Sequence, residues 1–248
     1  MIVVYAATRN LYRHLLPAMR SLMHYNEVGE IILLLEDDAL GLPVPDCARV
    51  INVVPWRDRL IDPAGPNANS VFSWQASLRL AYPVILSEYD KVISLDVDTI
   101  VCDSLEPIWN VDLTDKWVGM VREKTAPMWR WSEYRPPYPE RYFNAGVMVW
   151  NLAQMRKDHT VGDMIGRINT TRMDYMEQDT LNELGNRFNK IVELPLKYNE
   201  CQGTGETDNP AIVHYAGVPW KWTDPDAPRH AYMERWQREE DNAPMRGE

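Results

Sequence analysis

The sequence predicts an α/β protein with a mostly parallel central sheet flanked by helices. Three observations predict it. Short runs of unbroken apolar residues, the mark of strands buried on both faces, recur through the first half of the chain. Helix-period stripes lie between them, and Pro/Gly/Asn-rich stretches separate the two patterns. Alternation of this kind builds parallel strands joined by crossover helices.

Taken in order, Ile2–Ala7 reads as a buried strand. Leu15, Leu16, Met19, Leu22 and Met23 then carry a helical stripe at spacings of three and four. Ile31–Leu35 is a second strand, stopped by Glu36, Asp37 and Asp38, and Val50–Val54 is a third. After the breaker-rich stretch 62–69, Ser70 is the expected N-cap of a helix running to Ala81. Lys91–Leu95 is a short apolar strand that runs into Asp96. In the second half, residues 127–142 place Trp129, Trp131, Tyr134, Tyr138 and Tyr142 among prolines and arginines, which predicts a loop or lid. Phe143–Trp150 reads as a strand, 160–170 and 177–187 as helices, and Ala211–Val213 as a last buried strand. Arg229–Arg238 is the expected closing helix, followed by a frayed acidic tail. The 248 residues are read as one domain, with a nucleotide-binding half (1–100), a donor and acceptor half (101–225) and a C-terminal helix and tail (226–248).

Composition narrows the function. The charge sum is 26 − 36 = −10, a sign that repels phosphate backbones and excludes nucleic-acid binding by general electrostatics. It leaves room for one phosphorylated small molecule held at a metal, because an ion inverts the local field. Three scattered cysteines suit neither a disulfide framework nor a zinc site. With no signal-peptide pattern, no membrane-length apolar run and an acidic C-terminal end, the expectation is a cytoplasmic protein without a stable membrane anchor. Six of the ten tryptophans lie at or beyond residue 129; such rings line sugar sites or fill cores, and core filling is the commoner use.

The chemical focus is Asp96-Val97-Asp98 at the end of the Lys91–Leu95 strand. In an extended segment residues two apart point the same way, so both carboxylates converge while Val97 faces the core. Ligands of open α/β sheets gather beyond the carboxyl ends of strands. Two hard oxygen ligands suit Mg²⁺ or Mn²⁺, and a neutral imidazole from His214, at the end of the last strand, shifts the preference toward Mn²⁺. Lys221 follows seven residues later, within reach of a diphosphate oxygen.

Four segments together resemble the family-8 retaining glycosyltransferases, which include glycogenin and bacterial lipopolysaccharide galactosyltransferases. Tyr89-Asp90-Lys91-Val92-Ile93-Ser94-Leu95-Asp96-Val97-Asp98 is similar to their "YDKVLYLDxD" segment, and Phe143-Asn144-Ala145-Gly146-Val147 to the start of "FNAGVxxxNL". Glu177-Gln178-Asp179-Thr180-Leu181-Asn182 resembles "DQDxLN", and His214-Tyr215-Ala216-Gly217 the opening of "HxxGxxKPW". The resemblance implies a GT-A fold, a UDP-sugar donor carrying glucose or galactose, and Mn²⁺ as cofactor with Mg²⁺ as the alternative. It implies Asp96, Asp98 and His214 as metal ligands, and Gln178, Glu177 and Asn144 as the catalytic group. Ala6, Ala7 and Asn10 would cradle uridine, Arg79 would reach the donor, and Ala145 and Gly146 would lie near its sugar. Thr8, Tyr12, Val97, Gly217 and Lys221 complete the expected cofactor contacts. The acceptor, a glycan, a lipid-linked sugar or a protein, is left open.

The chain departs from the family at three places. Thr8 stands where an aspartate commonly reads the base, with Tyr12 as a ring that could stack on it; Glu177 replaces an aspartate; and Lys221 sits one residue late in Pro219-Trp220-Lys221-Trp222. Two routes to retention stay open, a double displacement through Glu177 and same-face attack with Gln178 orienting, and the second is favoured. Absence of a Gly-rich loop after the first strand argues against a sugar-nucleotide pyrophosphorylase or a dinucleotide oxidoreductase. A catalytically inactive nucleotide-sugar binder is the rival from another class.

Overall fold

The computed structural model describes residues 1–37, 41–123, 136–201 and 207–216. The strands are β1 (Ile2–Ala7), β2 (Glu30–Leu35), β3 (Ala48–Asn52), β4 (Lys91–Leu95), β5 (Thr99–Val101), β6 (Val118–Arg122), β7 (Phe143–Asn151), β8 (Ile191–Leu194), β9 (Glu200–Cys201) and β10 (Ile212–His214). The helices are α1 (Tyr12–Tyr25), the short α2 (Arg57–Leu60), α3 (Tyr82–Ile85) and α4 (Glu106–Trp109), then α5 (Leu152–Lys157), α6 (Thr160–Thr170) and α7 (Met176–Arg187).

Seven strands form one sheet in the order β3-β2-β1-β4-β7-β6-β8. Only β7 runs against its neighbours, so the sheet is mostly parallel as the apolar runs predict. Alternate residues of each strand feed opposite cores. Val4, Ile32, Leu34 and Val92 pack on one side with residues of α5, α6 and α7. Val3, Tyr5, Ile31, Leu33 and Ile93 pack on the other with Leu15, Met19 and Leu22 of α1. Met23, the last residue of the predicted stripe, is instead exposed.

The tryptophans are core residues wherever they are described. Trp117 and Trp150 are buried, while Trp56, Trp74 and Trp109 pack against the two cores. Trp150 is fully buried, donates from Nε1 to Ser94 Oγ at 2.8 Å and meets Tyr82 edge-on at 5.5 Å. Burying about 200 Å² of such a ring stabilises the fold by roughly 5 kcal/mol.

The helix expected from Ser70 takes another form. Residues Trp74–Ala81 wind as a 3-10 helix capped by Ser73, whose hydroxyl accepts from Gln75 N–H, while Ser70 accepts from Phe72 N–H in the turn before it. The short α3 begins at Tyr82-Pro83, where the proline closes off the preceding turn. The third strand ends at Asn52, and Val54 starts a 3-10 turn. Most of the predicted loop 127–142, including Trp129, Trp131 and Tyr134, lies outside the described residues, as do the predicted helix Arg229–Arg238, Gly217 and Lys221. Among the described residues, no helix is long and apolar enough to cross a membrane.

A second, three-stranded sheet positions the site. Strand β10 runs antiparallel to β5 and parallel to β9, pairing His214 with Thr99 on one side and with Cys201 on the other. Residues 98 and 214 thereby become spatial neighbours, and the turn between β4 and β5 is placed against the end of β10.

Candidate active site

Asp96-Val97-Asp98 forms a tight turn rather than an extension of β4. Asp96 N–H donates to the Gly146 carbonyl at 2.8 Å, and Thr99 returns both its N–H (3.2 Å) and its hydroxyl (2.7 Å) to the Asp96 carbonyl. Tyr215 N–H donates to the Asp98 carbonyl at 2.9 Å, which fastens the turn to β10. Val97 is buried and belongs to the α1-side core, as predicted.

The turn brings both carboxylates to His214. Its Nε2 lies 3.3 Å from Asp98 Oδ1 and 3.5 Å from Asp96 Oδ2, and one ligand atom from each residue falls within 4.8 Å of the others. Burial alone disfavours the imidazolium, but the charge and hydrogen bond of Asp98 outweigh it and push the His214 pKa up to about 9. The ring sits on Gly146: a Cβ there would lie 2.0 Å from His214 Cε1. Gly146 is therefore the seat of the histidine, and only a residue without a side chain fits beneath it.

These groups open into a cavity of about 380 Å³ at the carboxyl ends of β1 and β4. Ala6, Thr8, Arg79, Asp96, Val97, Asp98, Asn144, Ala145, Gly146, Glu177, Gln178 and His214 all line it. Ala7, Asn10 and Tyr12 do not. Ala7 is buried, with its carbonyl accepting from Gln75 Nε2 at 3.0 Å. Asn10 Oδ1 accepts the Thr8 hydroxyl at 2.5 Å. The Tyr12 hydroxyl accepts from Glu36 N–H at 2.9 Å and its ring packs on the α1-side core.

Charge in the cavity is lopsided. Asp96, Asp98, Glu123, Asp174, Glu177 and Asp179 line it, against Arg79 and His214. Arg79 is buried and bridges two of the acids, Nη2 to Asp96 Oδ1 and Nη1 to Glu177 Oε1, the latter at 2.9 Å. A diphosphate entering such a field needs further positive charge. Two carboxylates and an imidazole nitrogen are the donor set for a divalent ion of the Mn²⁺ type, and the residues present fit one.

Helix α7 supplies the remaining wall. Gln178, Asn182 and Asn186 stand at four-residue spacing on one face, and each amide bonds the backbone of β7 or of the segment just before it. Gln178 Oε1 accepts from Ala145 N–H at 2.8 Å. Asn182 brackets Phe143, accepting from its N–H at 2.7 Å and donating to its carbonyl at 2.8 Å. Asn186 Nδ2 donates to the Arg141 carbonyl at 2.8 Å. The helix is thus locked in register with Phe143-Asn144-Ala145-Gly146. Asn144 is itself fully engaged, its Nδ2 on Glu123 Oε2 at 2.9 Å and its Oδ1 accepting from Gly146 N–H at 2.8 Å.

Several residues at the site were given no role there by the sequence. The Tyr142 hydroxyl accepts from Gln178 Nε2 at 3.1 Å and donates to Asp179 Oδ1 at 2.5 Å. Tyr142 was expected in the loop, yet it is buried against α7. Asp179 Oδ2 accepts from Asp174 N–H (3.1 Å) and Tyr175 N–H (2.9 Å), capping the helix start as an acid in its first turn should. Burial still pushes its carboxyl up to about 7, with these donors holding it back. Asn199 and Cys201 reach the site only through the pairing of β9 with β10. Phe72 and Tyr175 line the cavity with their ring centroids 5.0 Å apart.

A mostly parallel sheet thus carries an Asp-x-Asp turn that faces a histidine beside its carboxyl edge. The profile of Glycosyl transferase family 8 matches residues 50–224, and the chain belongs to that family. It is 26% identical over 187 residues to General stress protein A of Bacillus subtilis, covering 65% of this chain and 63% of that protein. It is 26% identical over 157 residues to the lipopolysaccharide glucosyltransferase WaaO of Escherichia coli, covering 56% of this chain and 46% of that one. The chain thus spans less than two thirds of the length of these relatives. Among solved structures, the galactosyltransferase LgtC in complex with donor and acceptor sugar analogs superposes with a TM-score of 0.76 at 24% identity, covering 100% of this chain and 98% of that one. The fold is GT-A.

Proposed function

We propose that the chain is a retaining hexosyltransferase that moves glucose or galactose from a UDP-sugar to a glycan acceptor, with Asp96, Asp98 and His214 holding Mn²⁺, or alternatively Mg²⁺. The observation that carries this reading is the acidic cavity whose Asp-Asp-His cluster can hold the cation a diphosphate would require. A divalent ion bound there supplies Lewis-acid neutralisation of the charge that builds on the departing diphosphate. The glucosyltransferase and galactosyltransferase names of WaaO and LgtC support the choice of hexose.

The chain's own residues divide the remaining work. Arg79, buried between Asp96 and Glu177, places a guanidinium where leaving-group charge accumulates. Gln178 lines the cavity with its amide held at both ends, by Ala145 N–H and by the Tyr142 hydroxyl, so it orients rather than wanders. Glu177 is tied to Arg79 at 2.9 Å, and an ion-paired carboxylate is a weaker nucleophile. That engagement favours same-face attack, with the Gln178 amide and the Glu177 charge stabilising the oxocarbenium-like centre. Asn144, with its amide consumed by Glu123, Gly146 and Asn199, is a positioning residue here rather than a reacting one. The Phe72–Tyr175 ring pair supplies apolar surface for the acceptor sugar.

The test is release of UDP from a panel of UDP-sugars, with Mn²⁺, Mg²⁺ or EDTA and no added acceptor. Slow, metal-dependent turnover of one hexose donor is expected, with retained anomeric configuration once an acceptor is supplied. Nucleotide-sugar binding without turnover, with or without acceptor sugars, would leave the inactive binder as the better reading.

A further inference from the structure

The orientation of His214 can be deduced from a backbone group two residues from Asn144. Gly146 N–H is a donor with no alternative, and it points at Asn144 Oδ1 at 2.8 Å. That end of the Asn144 amide is therefore oxygen, which agrees with its other end donating to Glu123 Oε2. The Asn199 atom 2.9 Å from Asn144 Oδ1 must then be the nitrogen, Nδ2. Its oxygen consequently faces His214 Nδ1 at 2.8 Å, where it also accepts from the Cys201 thiol at 3.5 Å. An amide oxygen has no proton to offer, so Nδ1 carries one. In the neutral ring the lone pair is then on Nε2, the atom aimed at Asp96 and Asp98. Asn199 is 1% exposed, so solvent is no ready substitute for its oxygen.

We propose that Asn199 is a positioning residue for metal binding: through the relay Gly146 N–H, Asn144, Asn199, it holds His214 in the Nδ1–H tautomer that presents Nε2 to a divalent cation. The inference rests on reading Asp96, Asp98 and His214 as metal ligands, and it adds a residue that no sequence motif marks. Outer partners that donate to or accept from ligating histidines tune both ring angle and basicity. Here the partner is itself aimed by a backbone amide, so Nδ1 keeps its proton and Nε2 is the nitrogen left to a cation.

The test is Mn²⁺ titration in the presence of UDP, followed by the electron paramagnetic resonance signal of the unbound ion, with thermal melting in parallel. Asn199→Leu removes the acceptor and should weaken Mn²⁺ binding about 10–100-fold. Asn199→Asp keeps an oxygen on Nδ1–H but sets its other oxygen against Asn144 Oδ1. It should therefore melt earlier while holding Mn²⁺ affinity within about threefold of wild type. A purely structural Asn199 would lose stability and affinity together in both variants, and that result overturns the proposal. So does unchanged affinity in a folded Asn199→Leu. If Asn199→Leu does not fold, histidine ¹⁵N spectra of the wild-type protein decide. With His214 assigned against His214→Gln, a pyrrole-type Nδ1 and pyridine-type Nε2 are expected at a pH where the ring is neutral, and the reverse tautomer refutes the relay. A wild-type protein that shows this tautomer but does not bind Mn²⁺ would refute the metal reading instead.

Discussion

Gly146→Ala adds one methyl group directly beneath the His214 ring. The new Cβ would lie 2.0 Å from Cε1, 2.5 Å from Nδ1 and 2.8 Å from Nε2, whereas ordinary contact begins at 3.4 Å. Reaching ordinary contact requires a separation larger by 3.4 − 2.0 = 1.4 Å. The ring is buried and tied to Asn199, and its displacement carries Nε2 away from Asp96 and Asp98. Metal ligand distances tolerate only about 0.2 Å of error, so the shift is several times what a bound ion accepts. Misplacement of a reacting or ligating group by about 1 Å typically costs about 100-fold in rate. The methyl group should also destabilise the fold by about 1–3 kcal/mol through overpacking. The assay is UDP-sugar turnover across an Mn²⁺ series, with thermal melting to confirm that the variant is folded at the assay temperature. A folded Gly146→Ala whose turnover and metal dependence stay within about threefold of wild type would refute the account of how this site is seated.

Three further outcomes follow from the same geometry. Tyr142→Phe removes the hydroxyl shared by Gln178 and Asp179 and should lower kcat about tenfold while UDP affinity, measured by calorimetry, stays within about twofold. Asp179, with its folded pKa raised to about 7, keeps a proton that the unfolded chain releases near pH 4. Folding stability should therefore fall as pH rises from about 4 to 7, by up to about 1.4 kcal/mol per unit, and denaturant titrations of Asp179→Asn should lose that slope. Arg79→Met strands the buried carboxylate of Glu177 and unpairs the partly exposed one of Asp96, and should cost about 3 kcal/mol without metal. Added Mn²⁺ should recover more melting temperature in this variant than in wild type.

The sequence revealed most of the large sheet because its strands are buried on both faces. Ile2–Ala7 is an unbroken apolar run and Lys91–Leu95 a mostly apolar one, and the observed strands β1 and β4 match them residue for residue. Helix α6 likewise coincides with the predicted 160–170. The 3-10 helix at Trp74–Ala81 was less legible, because Ser70 and Ser73 are both competent caps and only the packed structure selects between them. Strands β5, β9 and β10 have two or three residues each, too short for any periodicity to register. Their pairing is what carries His214 to the Asp96-Val97-Asp98 turn, so the ligand set was legible as residue types and motif resemblance while its geometry was not.

The same limit explains the residues that went unnoticed. Asn199 is a single polar residue before a two-residue strand, and nothing local distinguishes it from a turn asparagine. Its meaning comes from the register of β9 against β10 and from an amide orientation anchored at Gly146. Gly146 was legible as part of a motif near the donor, and the contact with His214 Cε1 supplies the physical reason for glycine there. Tyr12, offered as a ring that could stack on the base, has its hydroxyl engaged by Glu36 N–H and its ring on the α1-side core.

The central claim is that the turn between β4 and β5, with His214, holds a divalent ion that gives this acidic cavity its grip on a nucleotide diphosphate. Calorimetric titration of UDP into wild type and Asp98→Asn, each with Mn²⁺ and with EDTA, tests it most directly. The account predicts UDP binding that Mn²⁺ strengthens at least tenfold in wild type, and an Asp98→Asn variant in which the ion makes no difference. Equal UDP affinity in Mn²⁺ and EDTA, or an Mn²⁺ effect that survives in Asp98→Asn, would contradict it.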